Sequence, residues 1–320
     1  MHHLVFCDLD GTLIKRHTYT VNQYDIDKIT DFVKQGNIFV ISTGRFIERI
    51  QPILDQVNKN YPNVKYVIGL VGAHIYDVVN HKDILCQPID PIIFKQLFDF
   101  ANSHKISFLV NCQETFDIRK PYGLNVHPKW IFNHMSKGLA FKVGDKDTKI
   151  TNPLKLIFPF VRIRYGGKLY KELVKRFGDQ LHIVKQNHYI EVVSKRADKG
   201  TAIKFLVKYL HYDNPDLYNT ISIGDSENDV EMFNETNRKY VVAQKISKSP
   251  LLAYDYPIIG NADYNAVGKI LQTLMDEDAH DQQPSMLTKV IAPVSTANKE
   301  VEAKEVVSTS KHQVLVKKES

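Results

Sequence analysis

The sequence predicts an α/β fold: a doubly wound, mostly parallel sheet that carries a second, inserted α/β unit. Three observations support this. Short apolar runs alternate with stretches of helical periodicity through the first 78 residues, the pattern of successive β-α units. Three such runs, Leu4–Cys7, Ile38–Ile41 and Ile221–Ile223, end abruptly in acids, hydroxyls or glycine. Parallel strands do this where their carboxyl ends open onto a ligand crevice. Around Val78–His81 the pattern changes, and it returns only near residue 189.

Taken in order, Leu4-Val5-Phe6-Cys7 reads as a buried strand that runs into Asp8-Leu9-Asp10-Gly11-Thr12. Thr20-Val21-Asn22-Gln23 reads as a capping box. Ile26, Ile29, Phe32 and Val33 then recur at helical spacing, and Gly36 supplies the stop. The Ile38–Ile41 strand follows, then a helix over Phe46–Val57. Val64–Leu70 and Ile75–Val79 read as strands flanking Val71-Gly72-Ala73-His74. The next elements are a strand at Ile84–Pro88, a helix at Pro91–Ser103 opened by Asp90, and a strand at Ile106–Val110. Residues 111 to 150 show no clear period. Leu154–Ile163 reads as a strand and Lys168–Phe177 as a helix between glycines. Leu181–Lys185 and His188–Val193 read as a strand pair turning at Gln186-Asn187. A helix from Lys199 to Leu210, the Ile221–Ile223 strand, a short helix through Val230–Phe233, an edge strand at Tyr240–Val242 and a closing helix at Ala262–Leu274 complete the fold. Residues 1–78 and 189–275 thus form a core, residues 79–188 an inserted α/β cap with an open antiparallel sheet, and residues 276–320 a polar, disordered tail. Val314-Leu315-Val316 in that tail has the look of a short recruitment motif.

Three hundred and twenty residues suit two domains, at roughly 150 residues each. A net charge of +6 favours anionic small molecules as readily as nucleic acid. The basic cap residues Lys155, Arg162, Arg164, Lys168, Lys171 and Lys175 are interleaved with apolar ones, so they read as a solvated face rather than a nucleic-acid surface. Cys7, Cys86 and Cys112 are odd in number and lie in or near apolar runs, as reduced thiols of a cytoplasmic protein do. The first strand leaves no room for a signal peptide, and no apolar run approaches a membrane span.

Asp8 and Asp10 alternate along an extended chain and so point into one crevice, where two carboxylates require a cation or a shared proton. An Asx-type turn after a strand explains the same residues equally well. Three later segments break the tie. Ile41-Ser42-Thr43-Gly44-Arg45 ends a strand in a hydroxyl and a glycine, Asp198-Lys199-Gly200-Thr201 sets a lysine in the first turn of a helix, and Gly224-Asp225-Ser226-Glu227-Asn228-Asp229 ends a strand in acids. In this order the four segments resemble the motifs of the haloacid-dehalogenase (HAD) phosphohydrolase superfamily. The long insert looks like that of its Cof-type branch with a type IIB cap, and the resemblance spans roughly residues 3 to 275.

The resemblance implies a HAD-like Rossmannoid core and a Mg²⁺-dependent phosphatase acting on a small phosphorylated metabolite such as a sugar phosphate. Asp8 would be the nucleophile that forms an aspartyl-phosphate, dividing a slow displacement into two easier steps. Asp10 would protonate the leaving oxygen and then deprotonate the attacking water. Asp8, the Asp10 carbonyl and Asp225 would hold the metal, with Asp229 one shell out and Asn228 holding the phosphate or Lys199. Thr43, with Ser42 as competitor, and the Gly44 amide would bind a phosphoryl oxygen, and Lys199 would neutralise Asp8 and the phosphate. Arg45 would pair with substrate or cap, or remain a surface arginine at a helix end. Cof-type proteins commonly have Asn-Gly-Ala where Val71-Gly72-Ala73 stands here. The amide is therefore missing, and His74 is either its replacement at the substrate or an ordinary loop histidine. Glu191 and His188, at the return from the cap, are further specificity candidates. Trp130 and the cap aromatics read as packing residues. A phosphomutase and a noncatalytic phosphometabolite-binding protein are the alternatives on the same scaffold.

Overall fold

The computed structural model describes residues 2–16, 18–112, 122–125, 142–143, 149–160, 163–186, 188–210, 218–242 and 265–281. Strand β1 (His2–Asp8) lies in a seven-stranded sheet between β2 (Ile38–Ser42) and β12 (Tyr218–Gly224), parallel to both. Parallel strands β3 (Val64–Gly69) and β13 (Arg238–Val241) extend it on either side. Antiparallel β4 (His74–Asp77) and β5 (Lys82–Cys86) complete one edge. Cys7 pairs with Ile41 and with Ile223, so the carboxyl ends of β1, β2 and β12 finish level and their loops meet.

Alternation along β1 explains the two layers of helices. Val5 and Cys7 pack with α1 (Gln23–Lys34), α2 (Ile47–Val57) and α7 (Ala266–Asp281) on one face. Leu4 and Phe6 pack with α5 (Lys199–Leu210) and α6 (Val230–Asn234) on the other. Both faces are covered, which is why β1 is apolar throughout rather than alternating. Each fully buried aliphatic or phenyl side chain contributes about 1.5–3 kcal/mol.

A second sheet has the order β10-β11-β9-β6-β7-β8. It comprises β6 (Phe108–Cys112), β7 (Tyr122–Leu124), β8 (Lys142–Val143), β9 (Pro153–Pro159), β10 (Leu181–Lys185) and β11 (Tyr189–Ser194). All its pairings are antiparallel except β7 with β8. Helices α3 (Pro91–Ser103) and α4 (Ile163–Phe177) cover one face, where Phe94, Leu97, Leu173 and Phe177 meet Phe108, Val110, Leu156 and Phe158. The other face looks toward the ends of β1 and β2.

Several boundaries differ from expectation. The change of pattern at Val78–His81 is a hairpin turn, not the start of the cap: Lys82–Cys86 pairs back onto His74–Asp77 in the core sheet. At the other junction, Tyr189–Ser194 hydrogen-bonds to both β10 and β9 and so belongs to the cap sheet. Asn22, not Thr20, caps α1, its side chain accepting from the Tyr24 amide. The helix expected from Lys168 begins at Ile163 and runs through the glycines, of which Gly166 is needed where it stands because a Cβ there would strike the Phe160 ring. Helix α7 continues to Asp281, past the expected end at Leu274. Its acids face partners: Glu277 binds Arg238 at 2.6 Å and Asp278 binds His3 at 3.0 Å. Trp130, Arg162, Asn187, most of residues 111–150, and residues 282–320 with Val314–Val316 lie outside the described residues. The three cysteines are free thiols. No helix among the described residues is long and apolar enough to cross a membrane.

Candidate active site

Three loops at the carboxyl end of the core sheet, after β1, β2 and β12, and the start of α5 bring the predicted acids and Lys199 together. Asp8 is the last residue of β1, and Lys199 is the first of α5; both are buried. Lys199 Nζ donates to Asp8 Oδ1 at 2.5 Å and to Asp229 Oδ1 at 2.7 Å. Asp229 is fully buried and accepts through Oδ2 from the Asp225 and Ser226 amides at 3.0 and 3.1 Å. It therefore ties the loop after β12 to the lysine. Gly224 leaves the space for this carboxylate, since a Cβ there would lie 2.6 Å from Asp229 Cγ. Gly11, at φ +99°, turns the first loop tightly enough to pass the Asp225 carboxylate, which a Cβ would hit.

Arginines hold the remaining acids. Arg16 Nη2 donates to Asp225 Oδ2 at 2.6 Å, while Asp225 Oδ1 is buried without a partner. Arg45 binds both carboxylate oxygens of Asp10, with Nε to Oδ2 at 2.8 Å, and its guanidinium lies 4.8 Å from the centre of the Tyr19 ring. Its Nη1 is buried without a partner. Thr43 is buried on the wall of the site, and its hydroxyl accepts from the Arg45 amide at 3.2 Å. Ser42, its competitor, is fully buried and does not reach the wall. Gly44 and Asn228 also line the cavity.

Three acids around one lysine set the electrostatics. Burial, reinforced by Asp229 and opposed by Lys199, pushes the Asp8 carboxyl up to about 8. Asp225 is raised too, mainly by burial, with Arg16 pulling against it. Burial disfavours the Lys199 ammonium, but Asp229 and Asp8 overcome this and hold it above the usual lysine range. Ligand oxygens of Asp8, Asp225 and Asp229 all lie within 4.8 Å of one another. Excess buried carboxylate and the orphaned Asp225 Oδ1 both fit a hard divalent cation, which takes oxygen ligands.

The crevice continues into a cavity of about 1100 Å³ roofed by the second sheet. There the expectation that Lys155 lies on a solvated face is wrong. Arg164, Lys168, Lys171 and Lys175 are exposed as expected, but Lys155 is buried, donating to the Gly44 carbonyl at 2.9 Å and to Glu191. Glu191 is on the wall in that pair, and His188 lies exposed at the rim. His74 is displaced from its predicted role as a substrate residue. It is buried at the start of β4, off the cavity wall, with Nε2 bonded to Asp83 Oδ1 at 2.7 Å, because the hairpin directs it onto β5. Val71 does line the cavity and adopts a left-handed backbone, φ 60° and ψ 34°. Asn tolerates that conformation well and a β-branched residue poorly, which accounts for the amide expected there. Sequence reading missed Arg16, Lys155 and Asn111.

The sequence matches the family described as haloacid dehalogenase-like hydrolase over residues 5–271. A candidate phosphatase of Mycoplasma pneumoniae is 26% identical over 265 residues, covering 78% of this chain and 90% of that protein. A glucosyl-3-phosphoglycerate/mannosyl-3-phosphoglycerate phosphatase of Methanococcoides burtonii is 22% identical over 277 residues, covering 81% and 89%. The solved structure of the HAD subclass IIB sugar phosphatase BT4131 superposes with a TM-score of 0.68 at 15% identity, covering 85% of this chain and 99% of that one.

Proposed function

The chain belongs to the haloacid dehalogenase-like hydrolases, and from that premise we propose that it is a cytoplasmic phosphatase which hydrolyses a small phosphorylated metabolite, a sugar phosphate, through an aspartyl-phosphate. The observation that carries this reading is Lys199 bridging Asp8 and Asp229 beneath Thr43 and the Gly44 loop. It sets a nucleophile-type carboxylate beside a fixed cation on the floor of a roofed cavity. Similar proteins described as a sugar phosphatase and as a phosphatase of glucosyl- and mannosyl-3-phosphoglycerate support the substrate class. Three free thiols suit a reducing compartment.

In the first half-reaction the Asp8 carboxylate attacks phosphorus and the bond from phosphorus to the ester oxygen breaks. Asp10 gives its proton to the departing alkoxide. In the second half-reaction Asp10 takes a proton from water, which attacks the phosphorus of the acyl phosphate and frees inorganic phosphate and Asp8. Arg45 anchors the Asp10 carboxyl, while Lys199 and the Thr43 hydroxyl hold phosphoryl oxygens. Asp8 and Asp225 would hold Mg²⁺, with Asp229 behind them, and the bound ion would supply charge compensation between nucleophile and phosphate. The cap sheet excludes bulk water from the transfer.

The test is Asp8→Asn, which keeps the shape and removes the nucleophile. Its release of phosphate from 4-nitrophenyl phosphate should fall by at least about 1000-fold with the melting temperature within a few degrees of wild type. Full turnover in this variant would reject Asp8 as nucleophile.

A further inference from the structure

Asn111 is the unexplained residue of the cavity wall. It is 2% exposed, and both ends of its side-chain amide, Oδ1 and Nδ2, are buried without a hydrogen-bond partner. Native interiors rarely leave an amide with neither end bonded. The residue lies on β6, level with Lys155 of β9 in the ladder, and both side chains line the cavity that holds Asp8 and Asp10. An amide satisfied only by something entering the cavity is a ligand-binding group.

Resting on the phosphatase reading above, we propose that Asn111 is a specificity residue whose amide seats two neighbouring hydroxyls of the leaving group, so that the substrate is a monophosphate bearing a vicinal diol. An amide offers an acceptor and donors side by side, and adjacent hydroxyls supply the matching donor and acceptor. The surroundings suit a neutral polyol. Lys155 and Glu191 neutralise each other, so among the described residues this part of the roof holds no unpaired full charge for a second phosphate or a carboxylate. Lys155 Nζ donates to Gly44 and Glu191, and its third N–H is left to meet a substrate oxygen.

The experiment compares wild type with Asn111→Leu, close in shape and without polar atoms. The substrates are hexose, pentose and alditol monophosphates, purine 2′-deoxynucleoside monophosphates, which lack a vicinal diol, and 4-nitrophenyl phosphate. For the best diol-bearing substrate, kcat/KM relative to that for the aryl phosphate should fall about 10- to 100-fold in the variant. The melting temperature should hold or rise, because a buried unsatisfied amide has gone. Wild type alone supplies a second readout: removing one hydroxyl of the diol from that substrate should cost it about tenfold, and the variant should show no such discrimination. An unchanged ratio, equal rates on diol and deoxy substrates in wild type, or a loss confined to the purine deoxynucleotides would overturn the proposal. So would an enzyme that cleaves the aryl phosphate but no diol-bearing substrate, an outcome that leaves the phosphatase reading intact. Failure on every ester, the aryl phosphate included, would instead strike the phosphatase reading and the proposal together.

Discussion

At the scale of single residues, Lys199 governs the charge balance of the site. It is the cation that touches both Asp8 and Asp229, each of them buried. Removing one partner of a buried charge cluster leaves the others uncompensated and typically costs about 3–5 kcal/mol. Lys199→Met should therefore lower stability by that amount in chelator-treated protein, measured by urea titration. It should also reduce kcat/KM at least about 100-fold, since the phosphoryl oxygens lose a fixed donor. A stable, active variant would show that the lysine is dispensable to both. This residue was legible before the structure because a lysine in a first helical turn is electrostatically misplaced unless something anionic needs it. Arg16 had no such signal: nothing in its local sequence marks it, and only the fold brings it 2.6 Å from Asp225.

Among the elements, the packing of α1 on α7 contains a pH-sensitive contact off the wall of the cavity. Asp25, in the first turn of α1, accepts from the Gly268 amide at 2.7 Å, and burial pushes its carboxyl up to about 6. Its folded-state value lies above the ordinary 3.8, so protonation is favoured in the folded protein. The stability it contributes is complete below about pH 4 and is lost as pH rises through about 6, up to about 3 kcal/mol in all. Asp25→Asn keeps an acceptor for Gly268 and does not ionise. Denaturant titrations should find it more stable than wild type at pH 7 and flatter between pH 4 and 6; parallel curves for the two proteins would contradict the assignment. Elements of this kind were readable where the period was local, as in α3 with its Asp90 cap and in β10–β11. The cap limits were not, because the turn at Val78–His81 has the composition of a domain junction while its hydrogen bonds form a hairpin. Whether β5 joins the core or the cap depends on the pairing of Lys82–Cys86 back onto His74–Asp77, which composition does not reveal.

At the scale of the whole molecule, the site is an intersection. The loops after β1, β2 and β12 and the start of α5 supply its floor, and the open face of the cap sheet supplies its roof. The floor was largely legible because each of its motifs combines a strand end with a chemically distinctive side chain. His74 was the exception, since its neighbour on the hairpin, Asp83, lies nine residues away in a strand assigned elsewhere. The roof was illegible for a different reason: which strand face looks inward is fixed by register, and Lys155 and Asn111 look like ordinary polar residues until β9 and β6 are paired. The central claim is that this intersection transfers a phosphoryl group to Asp8. Rapid acid quenching of the Mg²⁺-loaded enzyme during turnover of a phosphate-labelled ester, followed by peptide mapping, tests it most directly. One hydroxylamine-sensitive phosphoryl group on the peptide bearing Asp8, absent from Asp8→Asn, is the predicted result, whereas rapid release of labelled phosphate with no label ever on Asp8 would contradict it.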